Sequence, residues 1–594
     1  MFLAILLAVA LPLPEKDVSA LVQELSGETA KRNLEGLARF HRQRGSQGFH
    51  SAAELVAERA RAYGLSDVAI LQFPADGKIF YGTQRSRPAW DADFAELWEL
   101  KDLPVKLASF EAEAVVLAED SESADVTAAL VDVGQGSKES DFKNAKGKIV
   151  LTGAAPGAVQ DLAAKSGALG IVSAALNQKT AWWGEDDNLI RWGHLETFSP
   201  NKTFAFMVSL KTARTLRERL GKGEAIRLHA LVKAGQHPGN YDVVTAVIPG
   251  ADPKLKDEEI AFSCHLDHQR PGANDNASGC VTILEAARTL QKLVDEKKLA
   301  RPARTIRFIW PPEVEGTVTL LNAKPDFAQR IKAVIHMDMV GGGPVTKAVF
   351  HVTRGPESLP SFIHGIAWAF ADFVNEQSYK FAATGSAEFP LAAPEGGKEP
   401  LLAQYSQFSM GSDHDVYQDS SFRIPSIYLN DWPDRYIHTN FDTAANIDPT
   451  KLKRAAFIGA ASAIVLANAE NPQWVSEAST SNAVCSADGC LVFRRKPSPK
   501  GPLAVFGYDY FTDRYKGPAV KLLGFEGTLP GALQPGLLGS GEEYAYEVLN
   551  FADGKRTAQQ IRDAVSAEYG SVPLDIVVDY LRALEKIAVL EQVR

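Results

Sequence analysis

The sequence predicts an α/β fold built on a mixed, mostly parallel sheet covered by helices. Two observations carry this expectation. Short apolar runs at 260–262, 305–310, 333–337 and 424–429 have the length and content of buried strands, and each passes into a polar cluster. Between them, apolar residues recur at helical spacing over 281–294, 359–375 and 451–468. Strands alternating with helices put helices on both faces of a sheet. The functional crevice of such a sheet lies at the carboxyl ends of its strands, where all the polar clusters fall.

Along the chain, residues 1–14 form an apolar run too short to cross a bilayer. It has the character of a signal-peptide core, although no basic residue precedes it. The expectation is a secreted or periplasmic protein with no membrane span in its mature part. Residues 15–104 are helical in pattern; Ser51 and Glu54 have the form of a capping box, opening a run that ends near Tyr63 before Gly64. Residues 105–235 look like a β-rich insertion, with strand runs at 128–133, 148–151 and 170–173 around a helix pattern at 159–166. Its Trp182, Trp183 and Trp192 are candidates to line a pocket, although burial is the commoner use of tryptophan. Residues 236–470 hold the alternating strands and helices. From 471 to 540 the composition turns to Ser, Asn, Gly and Pro, as in a linker. Residues 541–594 are helical again. Thr557 and Gln560 have capping-box form, Gly570 is a C-cap candidate and Pro573 opens a last helix, the outline of a small winged-helix-like module.

At 594 residues the chain exceeds one ordinary core, and 45% hydrophobic residues exclude disorder throughout. A net charge of −10 argues against nucleic acid as a partner, because phosphate binding wants a basic surface. Cys485 and Cys490 are close enough for a small disulfide loop, which an exported location permits. Cys264 and Cys280 read as buried small hydrophobes.

The polar clusters carry the chemistry of a metal site. Residues two apart share a strand face, so a bend at Leu266 lets the His265 imidazole bind a metal while Asp267 orients its far nitrogen. Asp275 lies in the small-residue turn Ala-Asn-Asp-Asn-Ala-Ser-Gly (273–279), which opens a helix. A carboxylate is favoured there and is a usual zinc ligand. The later runs lead to Glu313 and Glu315, to Asp338, and to Tyr436 and His438. His414 sits in a separate polar loop, and His336 and His364 read as packing residues.

These motifs, with Glu313 before Gly316, Asp338 before Gly341, Gly-Ser-Asp-His-Asp at 411–415 and His438 before Asp442, follow one another in a known order. Over roughly 236–470 the chain resembles the zinc aminopeptidases of clan MH, peptidase family twenty-eight. The resemblance implies that His265 and Asp338 hold one zinc, that His438 holds the other, and that Asp275 bridges both. It makes Asp267 the partner of His265, puts a cis peptide after Asp275, and casts Glu313 as general base on a zinc-activated water that cleaves N-terminal peptide bonds of peptide substrates. It also likens the insertion to a protease-associated domain. Two departures stand out. Relatives carry a second glutamate, a zinc ligand, where this chain has Val314. Either Glu315 replaces it after a local shift, or Glu313 is itself the ligand, or one zinc rather than two is bound. Relatives also place a tyrosine directly before the final histidine; Ile437 stands there, leaving Tyr436, with His414, as candidates for substrate contact. The alternatives are a one-zinc enzyme resembling glutaminyl cyclases and an inactive peptide-binding protein of the same fold. Oligomeric state is not legible.

Overall fold

The computed structural model describes residues 11–175, 186–480, 485, 487–505, 508–516 and 542–593. Trp182, Trp183 and most of the 1–14 run lie outside the described residues. Leu13, at the end of that run, is buried in the main core.

The main sheet has eight strands, in the order Ser66–Ala75, Gly239–Ile248, Thr305–Trp310, Glu259–Ser263, Ile331–Asp338, Ser426–Asp431, Phe350–Thr353 and Gln404–Ser406. The central four run parallel. Antiparallel pairs flank them on both sides. Helices bury both faces of these strands, which is why their sequences are continuous apolar runs rather than alternating ones. On one face, Gly279–Asp295, Ile363–Thr384 and Pro449–Ala467 pack Leu284, Phe370 and Phe457 against Phe262 and Ile335, joined by the N-terminal helices Gly27–Leu37 and Gln47–Ala62. On the other, Glu315–Ala323 and Pro325–Arg330 press Val318, Leu321 and Phe327 onto Ile309 and Val334. The chain leaves Glu259–Ser263 for the neighbour on one side, then crosses to the neighbour on the other. That reversal opens a crevice at the carboxyl ends of these three strands.

Some expected boundaries move. The helix assigned to Ser51 starts at Gln47, because Ser46 caps it by accepting from the Phe49 N–H at 3.0 Å. The insertion forms a seven-stranded sheet that starts at Ala89, not at 105. Strand Ala89–Glu99 pairs along its length with Arg227–His237 and buries Trp90, Ala95 and Leu97 in the insert's own core. Part of the expected linker is also structured. Val492–Arg495 pairs with Asp553–Thr557 and Leu590–Gln592, and Phe493 enters the C-terminal core beside Val548, Ile561 and Leu581. Cys485 and Cys490 are disulfide-bonded. Among the described residues no helix is long and apolar enough to cross a membrane.

Candidate metal centre

The three central strands deliver their side chains to one crevice. His265 follows Glu259–Ser263, Glu313 follows Thr305–Trp310, and Asp338 ends Ile331–Asp338. Asp275 comes from the turn before helix Gly279–Asp295, and the Asp275–Asn276 peptide is cis. His438 lies in the loop after Ser426–Asp431 with a left-handed backbone, φ +58°.

Among the described residues, two groups of ligand atoms converge within 4.8 Å: His265, Glu313 and Asp338, and His268, Asp275 and His438. Asp275 stands between them. Its Oδ1 is 3.2 Å from His265 Nε2, while its Oδ2 is 3.2 Å from His268 Nε2 and 3.0 Å from His438 Nε2. His265 Nε2 is also 3.4 Å from Asp338 Oδ1 and 4.0 Å from Glu313 Oε1. Yet His265 Nε2, His268 Nε2 and Asp338 Oδ1 are buried without a hydrogen-bond partner among the described residues. Buried polar atoms are nearly always partnered. Close neighbours that do not bond one another instead face a common point, and imidazole with carboxylate suits zinc there.

The electrostatics agree. Burial opposes charge on His265, but Glu313, Asp338, Asp267 and Asp275 raise its pKa well above the ordinary value. Burial, helped by Asp338, Asp267 and Asp275, pushes Glu313 well above the carboxylate range. Burial also works against ionised Asp275, yet His268, His265 and His438 draw it well below that range. Carboxylates crowded out of water are what a bound divalent cation relieves.

Asp267 sits beside His265 in a different way from the one expected. The far nitrogen of His265, Nδ1, is 3.0 Å from the Asp267 backbone carbonyl and 3.5 Å from carboxylate Oδ1. The carboxylate accepts from the Glu313 N–H at 2.6 Å and from Arg44 Nε at 3.3 Å. Burial would raise this group, but His265 and Arg44 pull it down to about 2.

Three expectations are corrected. Glu315 joins neither ligand group. The Val314 N–H donates to Asp413 Oδ1 at 2.9 Å, and Val314 has a positive φ of +54°, so the next side chain points away from both ligand groups. Glu315 is instead buried 3.1 Å from Arg87 Nε and 3.6 Å from Arg44 Nε, and accepts from Tyr241 at 2.9 Å. His268, which sequence reasoning missed, belongs to the second group of ligand atoms, which includes no side chain from the 313–315 turn. Reciprocal backbone bonds with Arg42, both 3.0 Å, hold His268 in place. His414 does not line the crevice: it is fully buried, bonds the Ser409 carbonyl through Nε2 at 2.8 Å and stacks on Tyr428 at 4.0 Å. Burial lowers its pKa to about 4. Tyr436 packs edge-on against Phe441 at 5.4 Å, with the Arg435 guanidinium 5.4 Å from its ring centre, rather than facing a substrate. His336 and His364 are buried, the first beside Ser412 Oγ at 2.8 Å, the second accepting from the Gly355 N–H at 2.9 Å. A second imidazole three residues after the first, beside the lost Val314 ligand, is the signal that could have found His268.

Residues 243–463 match Peptidase family M28. Leucine aminopeptidase 1 of Pyrenophora tritici-repentis is 33% identical over 175 residues, 26% of this chain and 43% of that protein. The chain thus spans less than half the length of that relative. Two solved structures share the fold at 17% identity. The peptidase M28 precursor of Shewanella amazonensis has a TM-score of 0.53 over 77% of this chain and 97% of its own. BSAP, a zinc aminopeptidase from Bacillus subtilis, has a TM-score of 0.50 over 74% of this chain and 94% of its own.

Proposed function

With residues 243–463 matching peptidase family M28, we propose that the protein is a zinc-dependent aminopeptidase acting on the free amino ends of peptides. The observation that carries this reading is Asp275 standing where two groups of ligand atoms converge, with His265 Nε2, His268 Nε2 and Asp338 Oδ1 buried and unbonded among the described residues. His265, Asp275 and Asp338 would hold one zinc, and His268, Asp275 and His438 the other. Zinc held there would supply Lewis acidity, which makes a bound water acidic near neutral pH and polarises a carbonyl.

The protein's own groups do the rest. Glu313 is the most open member of its group, with 18% of its side chain exposed against 2% for His265 and 6% for Asp338. It is therefore the group placed to take a proton from the attacking water and return it to the leaving amine. Asp267 and Asp413 hold the two N–H groups of the Glu313–Val314 turn, so the carboxyl is aimed before substrate arrives. His268 completes a second ligand set, which favours two zincs over the one-zinc alternative. The same reading takes the insert as a protease-associated domain and the protein as exported, a compartment that the Cys485–Cys490 bond suits.

The test pairs zinc content with hydrolysis of aminoacyl anilides and their N-acetyl counterparts. Two zincs per chain and turnover of the free-amine substrates alone are expected. No bound metal after zinc is supplied, or equal turnover of acetylated substrates, overturns the reading. One zinc with cyclisation of N-terminal glutamine transfers it to the cyclase-like alternative.

A further inference from the structure

The insert reaches the metal centre through one short segment. Ile190 to Trp192 lies antiparallel to the loop carrying His438. The Trp192 N–H donates to the His438 carbonyl at 2.7 Å, the Asn440 N–H donates to the Ile190 carbonyl at 3.1 Å, and Arg191 bridges Thr439. This clamp holds the loop just where His438 adopts its left-handed backbone. It also brings the Trp192 ring to 5.0 Å from that of His268 and 4.9 Å from that of His438, the two imidazoles of the second ligand group.

Exposure shows which side of the centre is open. His265, His268 and Asp275 are buried, whereas the His438 side chain is 26% exposed and Trp192 is half-buried. Trp192 therefore lies on the more exposed flank of the second ligand group. Its Nε1–H is buried and meets no acceptor among the described residues. An indole N–H shut away from water normally has a partner, and one left open beside a metal centre suits an acceptor that arrives with a ligand.

We infer that Trp192, carried in by the insert, is a substrate-binding residue whose indole N–H donates to a main-chain carbonyl of the bound peptide while its ring braces His268 and His438. This rests on the aminopeptidase reading, which supplies the peptide. The same geometry makes the insert part of the site rather than a cover over it.

The experiment compares wild type with Trp192→Phe and Trp192→Ala, each zinc-loaded, by zinc content, by kcat and KM on a tripeptide, and by calorimetric binding of a hydrolysis-resistant peptide. Phenylalanine keeps a ring and removes only the donor. It should raise KM and the peptide Kd roughly 3- to 10-fold, the worth of one hydrogen bond, with kcat and zinc content close to wild type. Alanine also removes the brace, and should lower zinc content toward one per chain. An active wild type with Trp192→Phe indistinguishable from it in KM and Kd overturns the inference and leaves the aminopeptidase reading standing. A wild type that neither cleaves nor binds peptides overturns both.

Discussion

Replacing Glu315 and His268 separately by alanine divides the two candidates for the ligand that Val314 cannot be. Glu315 is 1% exposed and engages Arg87, Arg44 and Tyr241 at 3.1, 3.6 and 2.9 Å. Removing it leaves two buried guanidiniums short of a partner, a change of about 3–5 kcal/mol for a broken buried pair. Burial, with Asp267 and Glu119 nearby, pushes Glu315 up to about 8, so most of its charge is already discharged at pH 7. The lower end, about 3 kcal/mol, is therefore expected, or roughly 6–12 °C in the melting of a unit this size. Zinc content should not change. His268→Ala should do the reverse. Its Nε2 has no hydrogen-bond partner among the described residues and faces Asp275 Oδ2 at 3.2 Å, so the loss of stability should be smaller than for Glu315. One of three ligands disappears, however, and affinity at the second site should fall by more than the 10- to 100-fold typical of outer supporting groups. Elemental analysis after dialysis against a chelator, beside calorimetric melting, separates the two. A Glu315→Ala protein with an unmoved melting point and one zinc would refute this assignment, as would a His268→Ala protein retaining two.

Further predictions concern stability and the aim of the base. Burial raises Glu547 to about 7, and burial with the neighbouring Glu547 charge raises Glu568 to about 9. Both folded pKa values lie above the unfolded value near 4.5. The stability they contribute is therefore fully present below about pH 4.5 and is lost as pH rises through about 7 and then about 9. Glu568→Gln should flatten that slope and raise the melting point at pH 8; an unchanged slope between pH 5 and 8 would count against it. Gly279→Ala would set a Cβ 2.3 Å from both the Met337 carbonyl oxygen and Asn276 Oδ1, at the start of the helix behind Asp275. A loss of about 3 kcal/mol is expected in urea unfolding. Gly365, exposed in helix Ile363–Thr384 with open space around its would-be Cβ, is the control; alanine there should stabilise by roughly 0.5–1 kcal/mol. Asp267→Asn weakens the hold on the Glu313 N–H and on Arg44. It should lower kcat by about 10- to 100-fold with zinc retained at saturation, and an unaltered kcat would show that the turn needs no such anchor.

Much of the catalytic unit was legible because its information is local. Each central strand is an uninterrupted apolar run, and each of His265, Asp275, Glu313 and Asp338 sits at the end of a strand or the start of a helix. What was not legible depends on distant partners. His268 is placed by Arg42, and Glu315 is drawn away by Arg44 and Arg87, all from N-terminal segments that no local pattern connects to the crevice. Strand Ala89–Glu99 escaped notice because its register with Arg227–His237 slips between Lys233 and Ala234, breaking the alternation that marks a half-buried strand. Val492–Arg495 is short and precedes a Lys- and Pro-rich stretch, so composition concealed a strand whose partners come from 553 onward.

Ala75 and Gly239 are paired across the main sheet, so the chain departs for the inserted sheet and returns at adjoining positions. In topology the whole insert takes the place of a hairpin turn. Its ends are pinned side by side by the register of two scaffold strands. Because closure entropy grows only with the logarithm of loop length, an excursion of this size burdens the scaffold little more than a long loop would. The catalytic sheet can therefore keep its register whatever module, or plain turn, is spliced at that junction. What such a splice would forfeit is Trp192 beside the two imidazoles and Glu119 beside Arg44: an intact scaffold with an unattended doorway.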